Sequence, residues 1–276
     1  MNLPYILLRV IRHFLPESLV RWMLHRNLVI EAGLETRDPA QAVARYLEAL
    51  TARGVSVADA HILIFGYGGN LAVAIGLLEA GCGHITVCDH IAPTEKHEND
   101  LLRQRFPRYF QPDAETARPN PQWITAYHGD IKTIPAETTL GPFDIILSNS
   151  VFEHLDDVAG ISLALSRLLK AGGCMLSFVD LRDHYFKYPF EMLCYSERVW
   201  RGFLNPSSNL NRWRVWQYEQ ALGTHYRKLT VEILASNLAE YRKASPRIRA
   251  EFKQGDAARD AALRILVFGQ QPAIRN

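Results

Sequence analysis

A glycine-rich turn and an acid downstream of it are the residues best suited to hold a ligand. Gly66-Tyr67-Gly68-Gly69-Asn70 follows an apolar run, His61 to Phe65, and precedes a stretch, Leu71 to Ala80, that reads as helix. Gly81 to Gly83 stops that helix, Ile85 to Cys88 reads as a second buried strand, and Asp89 stands at its end, about twenty residues beyond the glycines. Glycine lets a backbone turn sharply and lets a ligand approach it closely. The start of the following helix favours polar or anionic groups, and a carboxylate at the next strand end can accept hydrogen bonds from ribose hydroxyls. The chemistry implied is nucleoside binding on a strand-helix-strand unit, with Gly66, Tyr67, Gly68 and Asp89 in the binding set. A tight strand-to-helix turn without a ligand would use the same glycines.

Spacing narrows the ligand. A dinucleotide fingerprint, G-x-G-x-x-G, begun at Gly66 requires glycine at position 71, which is Leu71 here. The turn instead resembles the first motif of class I S-adenosylmethionine-dependent methyltransferases, an acid, any residue, then G-x-G. Ile64 stands at the acidic position, and Asn70 replaces a later glycine frequent in that family. The stronger resemblance lies downstream, in FDIILSNSVFEHLDD over 143–157 and LSRLLKAGGCMLSF over 165–178. The family shows an F-D-apolar strand, an E-H-L/V-x-D turn and L-x-x-L-L-K-P-G-G before the next strand; Ala171 replaces the proline. The resemblance spans about residues 60 to 180, and more loosely the C-terminus.

That resemblance implies a three-layer, doubly wound α/β fold on a mostly parallel seven-stranded sheet, with S-adenosyl-L-methionine as cofactor. It also implies that Asp130 receives the adenine amino group, with His90, Ile131 and Asn149 completing the cofactor-binding set. Methyl transfer from a sulfonium is an in-line displacement with an activated leaving group, so the protein must supply proximity, alignment and a place for the acceptor's proton. His154 and His184, beside the ends of the fourth and fifth strands, are the candidate bases. The bland readings are that Glu153-His154 forms a structural turn and that His184 lies in a surface loop. The remaining histidines show no ligand spacing, and no metal is expected.

The elements that must position these residues follow in order. Trp123 to Tyr127 reads as a third strand and Phe143 to Asn149 as a fourth, apolar as a central parallel strand should be. Val158 to Lys170 reads as helix capped by Ala171-Gly172-Gly173, Cys174 to Val179 as a fifth strand, His225 to Leu234 as a sixth and Ala262 to Gly269 as a seventh. The seventh is expected to be an antiparallel edge, with helix around Arg247 to Lys253 before it. Residues 180–218 exceed what the core requires and are rich in aromatics and arginines, which suggests an acceptor lid offering ring faces and guanidinium forks. Its DLRDHY and N-R-x-R elements resemble a bacterial group linked to surface-polysaccharide or glycolipid assembly, which implies a small-molecule, saccharide- or lipid-linked acceptor.

Residues 1–54 are expected to form a helical extension and 55–276 the catalytic domain. The run Leu3 to Leu15 is too short and too charged to span a bilayer and lacks a signal-type cleavage site. It suits an amphipathic helix packed on the main domain or on a second copy, or one lying on a membrane through residues 1–30, with Arg9, Arg12, Arg21 and Arg26 near anionic headgroups. A net charge of +2 over 276 residues provides no field for nucleic acid. Four cysteines without C-x-x-C spacing read as buried thiols in a reducing compartment, hence a cytoplasmic location. Two rival functions stay open, a nicotinamide-dependent oxidoreductase of Rossmann type and a non-catalytic binding protein on the methyltransferase fold.

Overall fold

The computed structural model describes residues 2–14, 38–90, 92, 94–134, 140–183, 187–205 and 210–273. Seven strands, β1 (His61–Phe65), β2 (His84–Asp89), β3 (Ile124–His128), β4 (Phe143–Asn149), β5 (Leu169–Asp180), β6 (Tyr226–Ser236) and β7 (Ala262–Pro272), form one sheet in the order β3-β2-β1-β4-β5-β7-β6. Strands β1 to β5 pair in parallel, and β7 runs antiparallel to both β5 and β6. Strand order reverses between β1 and β4, so a crevice opens at their carboxyl ends, where ligands bind in folds of this kind. The expected three-layer α/β architecture is therefore present, with one correction. The antiparallel strand lies inside the sheet, and β6 takes the edge, because β7 pairs with β5 on one side and β6 on the other.

Helices cover both faces. On one, α2 (Pro39–Thr51) and α3 (Ala72–Glu79) bury Tyr46, Leu50, Ile75 and Leu77 against Ile62, Ile64 and Leu147. On the other, α5 (Val158–Arg167) and α6 (Val215–Leu222) pack Leu165, Tyr218 and Leu222 on Leu63, Ile146 and Val267, while the polar α4 (Lys96–Arg105) joins β2 to β3. Strands buried on both faces need continuous apolar runs, which is why β1 and β4 are legible as His61 to Phe65 and Phe143 to Asn149. Asp38 starts α2 as anticipated, its carboxylate accepting the Gln41 N–H at 3.0 Å ahead of Pro39.

Two further boundaries differ from expectation. Helix α5 ends at Arg167, and Gly172-Gly173 lie inside β5, where pairing with β4 starts at Leu169 and shifts register before Cys174. A Cβ at Gly173 would stand 3.0 Å from the Phe143 and Asp144 carbonyl oxygens, so the glycine serves a bulge in the strand. Between β6 and β7 the helix is α7 (Leu238–Ala244), begun by the Asn237 side chain on the Glu240 N–H and followed by Pro246. Residues Arg247 to Lys253 hold only a three-residue turn, Ala250–Phe252.

The N-terminal helix α1 (Leu3–Phe14) packs on the insert after β5. Tyr5 and Arg9, one helical turn apart, face inward and are buried. Arg9 is ion-paired to the fully buried Asp183, which also accepts the Tyr5 hydroxyl proton bond, and the Arg9 guanidinium lies 4.9 Å from the Trp200 ring centre. Burial first, and Asp183 next, push the Tyr5 phenol far above its ordinary range, so it stays a donor. The part of the expected helical extension in residues 15–37 lies outside the described residues.

Candidate functional site

At the end of β1 the chain turns through Gly66, Gly68 and Gly69 with φ of +80°, +69° and +84°, a left-handed backbone that favours glycine. The Gly66 N–H donates to the Cys88 carbonyl at 2.8 Å, which ties the turn to β2. A Cβ at Gly66 would stand 2.2 Å from Cγ2 of Val151, so the segments leaving β1 and β4 touch across the switch point. At Gly68 the opposite holds: the residue is exposed and a Cβ would meet nothing within 4 Å. The Gly68 backbone therefore borders open space.

Asp89 is half-buried at the end of β2 and organises this cradle. Its Oδ2 accepts the Gly68 N–H at 3.1 Å and its Oδ1 accepts the Ala92 N–H at 2.8 Å. A carboxylate offers about four acceptor positions. Asp89 therefore holds the turn, and a carboxylate at this strand end is the kind of group that accepts ribose hydroxyls. From α4, the fully buried Asn99 accepts the Leu71 N–H at 3.0 Å and donates to the Gly69 carbonyl at 2.8 Å. Asn70, standing where a glycine is frequent, accepts the Ala72 N–H at 2.8 Å in the turn that leads into α3.

Tyr67 contributes backbone only. Its ring is buried in the core, and burial raises its phenol above the ordinary range while Thr94 hydrogen-bonds it. Ile64 is 1% exposed among Ile62, Val87 and Leu147, so the position that would hold an acid is part of the apolar core. Asp130 follows β3 and accepts the Lys132 N–H at 2.9 Å, which opens the turn that buries Ile131. His90 is exposed beside Asp89, and Asn149 is buried at the end of β4. Gly66, Gly68, Asp89, His90, Asp130 and Asn149 thus share the carboxyl edge of β1 to β4. Ser150 after them takes φ of +55°, an uncommon conformation for a side-chain-bearing residue, and such strain concentrates at functional loops.

His154 sits half-buried in the short turn Phe152–His154, its N–H donating to the Val151 carbonyl at 2.9 Å. His184 lies outside the described residues. Beneath His154, Glu153 is fully enclosed. Its Oε1 accepts the Asp180 N–H at 3.3 Å, and Oε2 is buried without a hydrogen-bond partner. Burial, the dominant influence, holds this carboxyl well above the usual glutamate range. From the insert, the Asn211 amide donates to the Phe152 carbonyl at 2.7 Å and the Leu155 carbonyl at 3.1 Å, while its own N–H reaches the Glu153 carbonyl at 2.9 Å. The turn carrying His154 is therefore clamped by the insert.

Arg182, Arg212 and Arg214 of the insert do not supply open forks as anticipated. Arg214 is 1% exposed and donates to the Leu181, Asp260 and Ala262 carbonyls. Arg212 is 2% exposed and donates to the Met192 and Tyr195 carbonyls and to Glu197. Both are spent on holding the insert, and Arg182 folds back on Asp180, Nε to Oδ1 at 2.9 Å. Asn99, Val151 and Glu153 were not anticipated as site-forming residues. Asn99 sits in a polar helix without local signal, and the Val151 contact exists only once β1 and β4 are neighbours.

Comparison with known proteins adds the class to this geometry. Residues 78–177 match the family described as a methyltransferase domain. Phosphoethanolamine N-methyltransferase 2 of Haemonchus contortus, solved with S-adenosyl-L-methionine, is 15% identical with a TM-score of 0.51, over 83% of this chain and 52% of that one. A candidate sarcosine dimethylglycine methyltransferase of Galdieria sulphuraria is 17% identical with a TM-score of 0.50, over 84% of this chain and 85% of that one. No curated protein matches by sequence. The structural likenesses establish the fold as that of class I methyltransferases. Together with the domain match over residues 78–177, that fold supports S-adenosyl-L-methionine-dependent methyltransferase activity.

Proposed function

We propose that this enzyme transfers the methyl group to a hydroxyl or amine of a small saccharide- or lipid-linked acceptor, in the cytoplasm, with residues 55–276 as the catalytic unit and 1–54 as an extension. The observation that carries the cofactor half is Asp89, which builds the exposed Gly68 cradle at the sheet's switch point. The cofactor supplies a methyl already activated on a sulfonium. Gly66 and Gly68 would let it approach the backbone, Asp89 would accept from its ribose and Asp130 from the adenine amino group, beside His90, Ile131 and Asn149. Ile64 cannot grip the cofactor's charged end, so that end must be held from elsewhere in the cleft.

On the acceptor side, a ring nitrogen of His154 would take the acceptor's proton, and His184 is the second candidate. Burial disfavours a negative charge on Glu153 beneath that turn, and the Asn211 clamp fixes the turn's place. The DLRDHY and N-R-x-R resemblance supports an acceptor from surface-polysaccharide or glycolipid assembly, and the apolar, basic run of residues 1–30 supports contact with a membrane that holds such acceptors.

Thermal melting with S-adenosylhomocysteine tests the cofactor half. A raised melting temperature is expected, with NAD and NADP inert; a response to NAD alone would move the protein to the oxidoreductases. Transfer of labelled methyl to saccharide and lipid-linked saccharide pools tests the acceptor half. His154→Ala should lower kcat by about 10²–10⁴ with the S-adenosylhomocysteine shift intact. Unchanged turnover would remove His154 from the chemistry.

A further inference from the structure

Helix α1 turns a row of apolar side chains outward. A helix laid on a protein ordinarily turns its apolar stripe inward. Here the buried positions are Tyr5 and Arg9, held by Asp183, with Ile6 and Val10 partly buried beside them, and the apolar positions Leu3, Leu7, Ile11 and Phe14, spaced four, four and three apart along one face, are 65%, 61%, 49% and 78% exposed. The arrangement is fixed rather than incidental. Arg9 also donates to the Leu204 carbonyl at 3.3 Å, and Tyr5 stacks on Tyr195 with ring centres 5.8 Å apart, so the helix cannot roll without uncovering a buried ion pair.

The turn that receives Arg9, Trp200–Leu204, carries a second exposed aromatic, Phe203, at 61%. The side chains around this apolar surface are cationic. Arg198 and Arg201 are exposed on or beside that turn, and Lys187 is exposed next to Tyr188, whose ring packs edge-on against Tyr5. Among the described residues the exposed acids beside them include Glu197, shared by Arg201 and Arg212, and Asp156, which also acts on Arg201. Residues 1–16 contain no acid at all. The surface adjoins the cleft: Asp183 lies three residues beyond the end of β5, and Arg201 lies within the electrostatic reach of Asp156 in the segment leaving β4. No helix among the described residues is long and apolar enough to cross a membrane.

We infer that the outward face of α1, with Phe203, lies on an anionic lipid surface, and that the Arg9–Asp183 pair holds the acceptor side of the cleft against that surface. An exposed apolar stripe with a cationic rim is what the interface of an anionic bilayer accommodates, apolar residues at the acyl boundary and cations among the headgroups. A second copy of this chain would bring the same cationic rim against itself. The inference deepens the reading of a lipid-linked acceptor, because the face that touches lipid is bolted to the insert beside the catalytic turn.

The test is co-sedimentation of the full chain with vesicles of phosphatidylglycerol and phosphatidylcholine, or of phosphatidylcholine alone, for wild type, Leu7→Asp/Phe14→Asp and Phe203→Asp. Wild type should bind anionic vesicles at least tenfold more tightly than neutral ones, the double variant should lose at least tenfold, and Phe203→Asp several-fold. Melting temperatures should hold in every variant, since these side chains are exposed. No binding, equal binding to both vesicles or binding insensitive to the substitutions overturns the inference. So does a wild-type dimer by light scattering that the double variant makes monomeric, which gives the face to a second copy. A melting temperature lowered by several degrees in the double variant also overturns it, by giving the face to another part of this chain. The S-adenosylhomocysteine shift is measured on the same preparations, so failure of cofactor binding is read separately from failure of lipid binding.

Discussion

Gly66→Ala should reveal whether the crevice floor is built as the geometry says. Two costs add. The residue has φ of +80°, and a side-chain-bearing residue in the left-handed region costs about 1–2 kcal/mol. The new Cβ would also sit 2.2 Å from Cγ2 of Val151, and relieving such overpacking costs about 1–3 kcal/mol. The single variant should thus lose roughly 2–5 kcal/mol, which at about 2 °C per kcal/mol for a chain of this size lowers the melting temperature by about 4–10 °C. Removing the Val151 methyls removes only the second cost. In a Val151→Ala background, Gly66→Ala should therefore cost about 1–2 kcal/mol, leaving a coupling of about 1–3 kcal/mol in a double-mutant cycle read by urea unfolding. S-adenosylhomocysteine affinity, by calorimetry, should fall in both glycine variants, because the Gly66 N–H to Cys88 link sets the turn. A coupling below about 0.5 kcal/mol would refute the contact between the β1 and β4 ends and the site built on it.

Other perturbations separate cofactor holding, lid clamping and core electrostatics. Asp89→Ala loses the acceptor for both Gly68 and Ala92 N–H groups, and hydrogen bonds to a charged group contribute about 1.5–3 kcal/mol, so S-adenosylhomocysteine should bind at least tenfold more weakly; unchanged affinity would remove Asp89 from the site. Glu153 has its carboxyl pKa raised in the folded state, so the stability it allows is fully present below the ordinary glutamate pKa and is lost as pH rises toward the folded value, where the unfolded chain ionises and the folded one does not. Glu153→Gln should flatten that decline in the melting temperature above about pH 4.5, and a slope identical to wild type would show that another group sets it. Asp183→Asn leaves Arg9 charged and buried, at a cost of about 3–5 kcal/mol by denaturant unfolding; a change under 1 kcal/mol would mean that α1 is not anchored there.

The legible parts of the fold were those in which local pattern and global place agree. β1, β2 and β4 are continuous apolar runs ended by glycine, aspartate or asparagine, and a strand buried on both faces can hardly be written otherwise. Gly172-Gly173 misled because glycine after a helix is usually a cap, and here the carbonyls of Phe143 and Asp144, on a strand thirty residues earlier, require it instead. Arg212 and Arg214 misled for a related reason. Sequence gives the guanidinium fork but not its target, and Arg214's three carbonyl partners come from Leu181, Asp260 and Ala262, segments that meet only in the folded chain. At the glycine turn, G-x-G and Asp89 were legible; that Asp89 holds Gly68, and that Asn99 braces the turn from α4, was not.

These misreadings bear on the acceptor. With Arg212 and Arg214 turned inward and Arg182 closed on Asp180, the insert's cations no longer argue for direct recognition of an anionic acceptor by guanidinium forks. What the insert demonstrably does is structural: Asn211 fastens the His154 turn, and Asp183 fastens α1. Its exposed cations, Lys187, Arg198 and Arg201, lie where α1 turns its leucines outward. Selectivity for a lipid-linked acceptor would then come from where the cleft is held, at a charged surface that concentrates such molecules, more than from a charged pocket within it. On that account acceptor KM should fall on anionic vesicles while S-adenosyl-L-methionine KM stays constant, and Leu7→Asp/Phe14→Asp should abolish the first effect and spare the second.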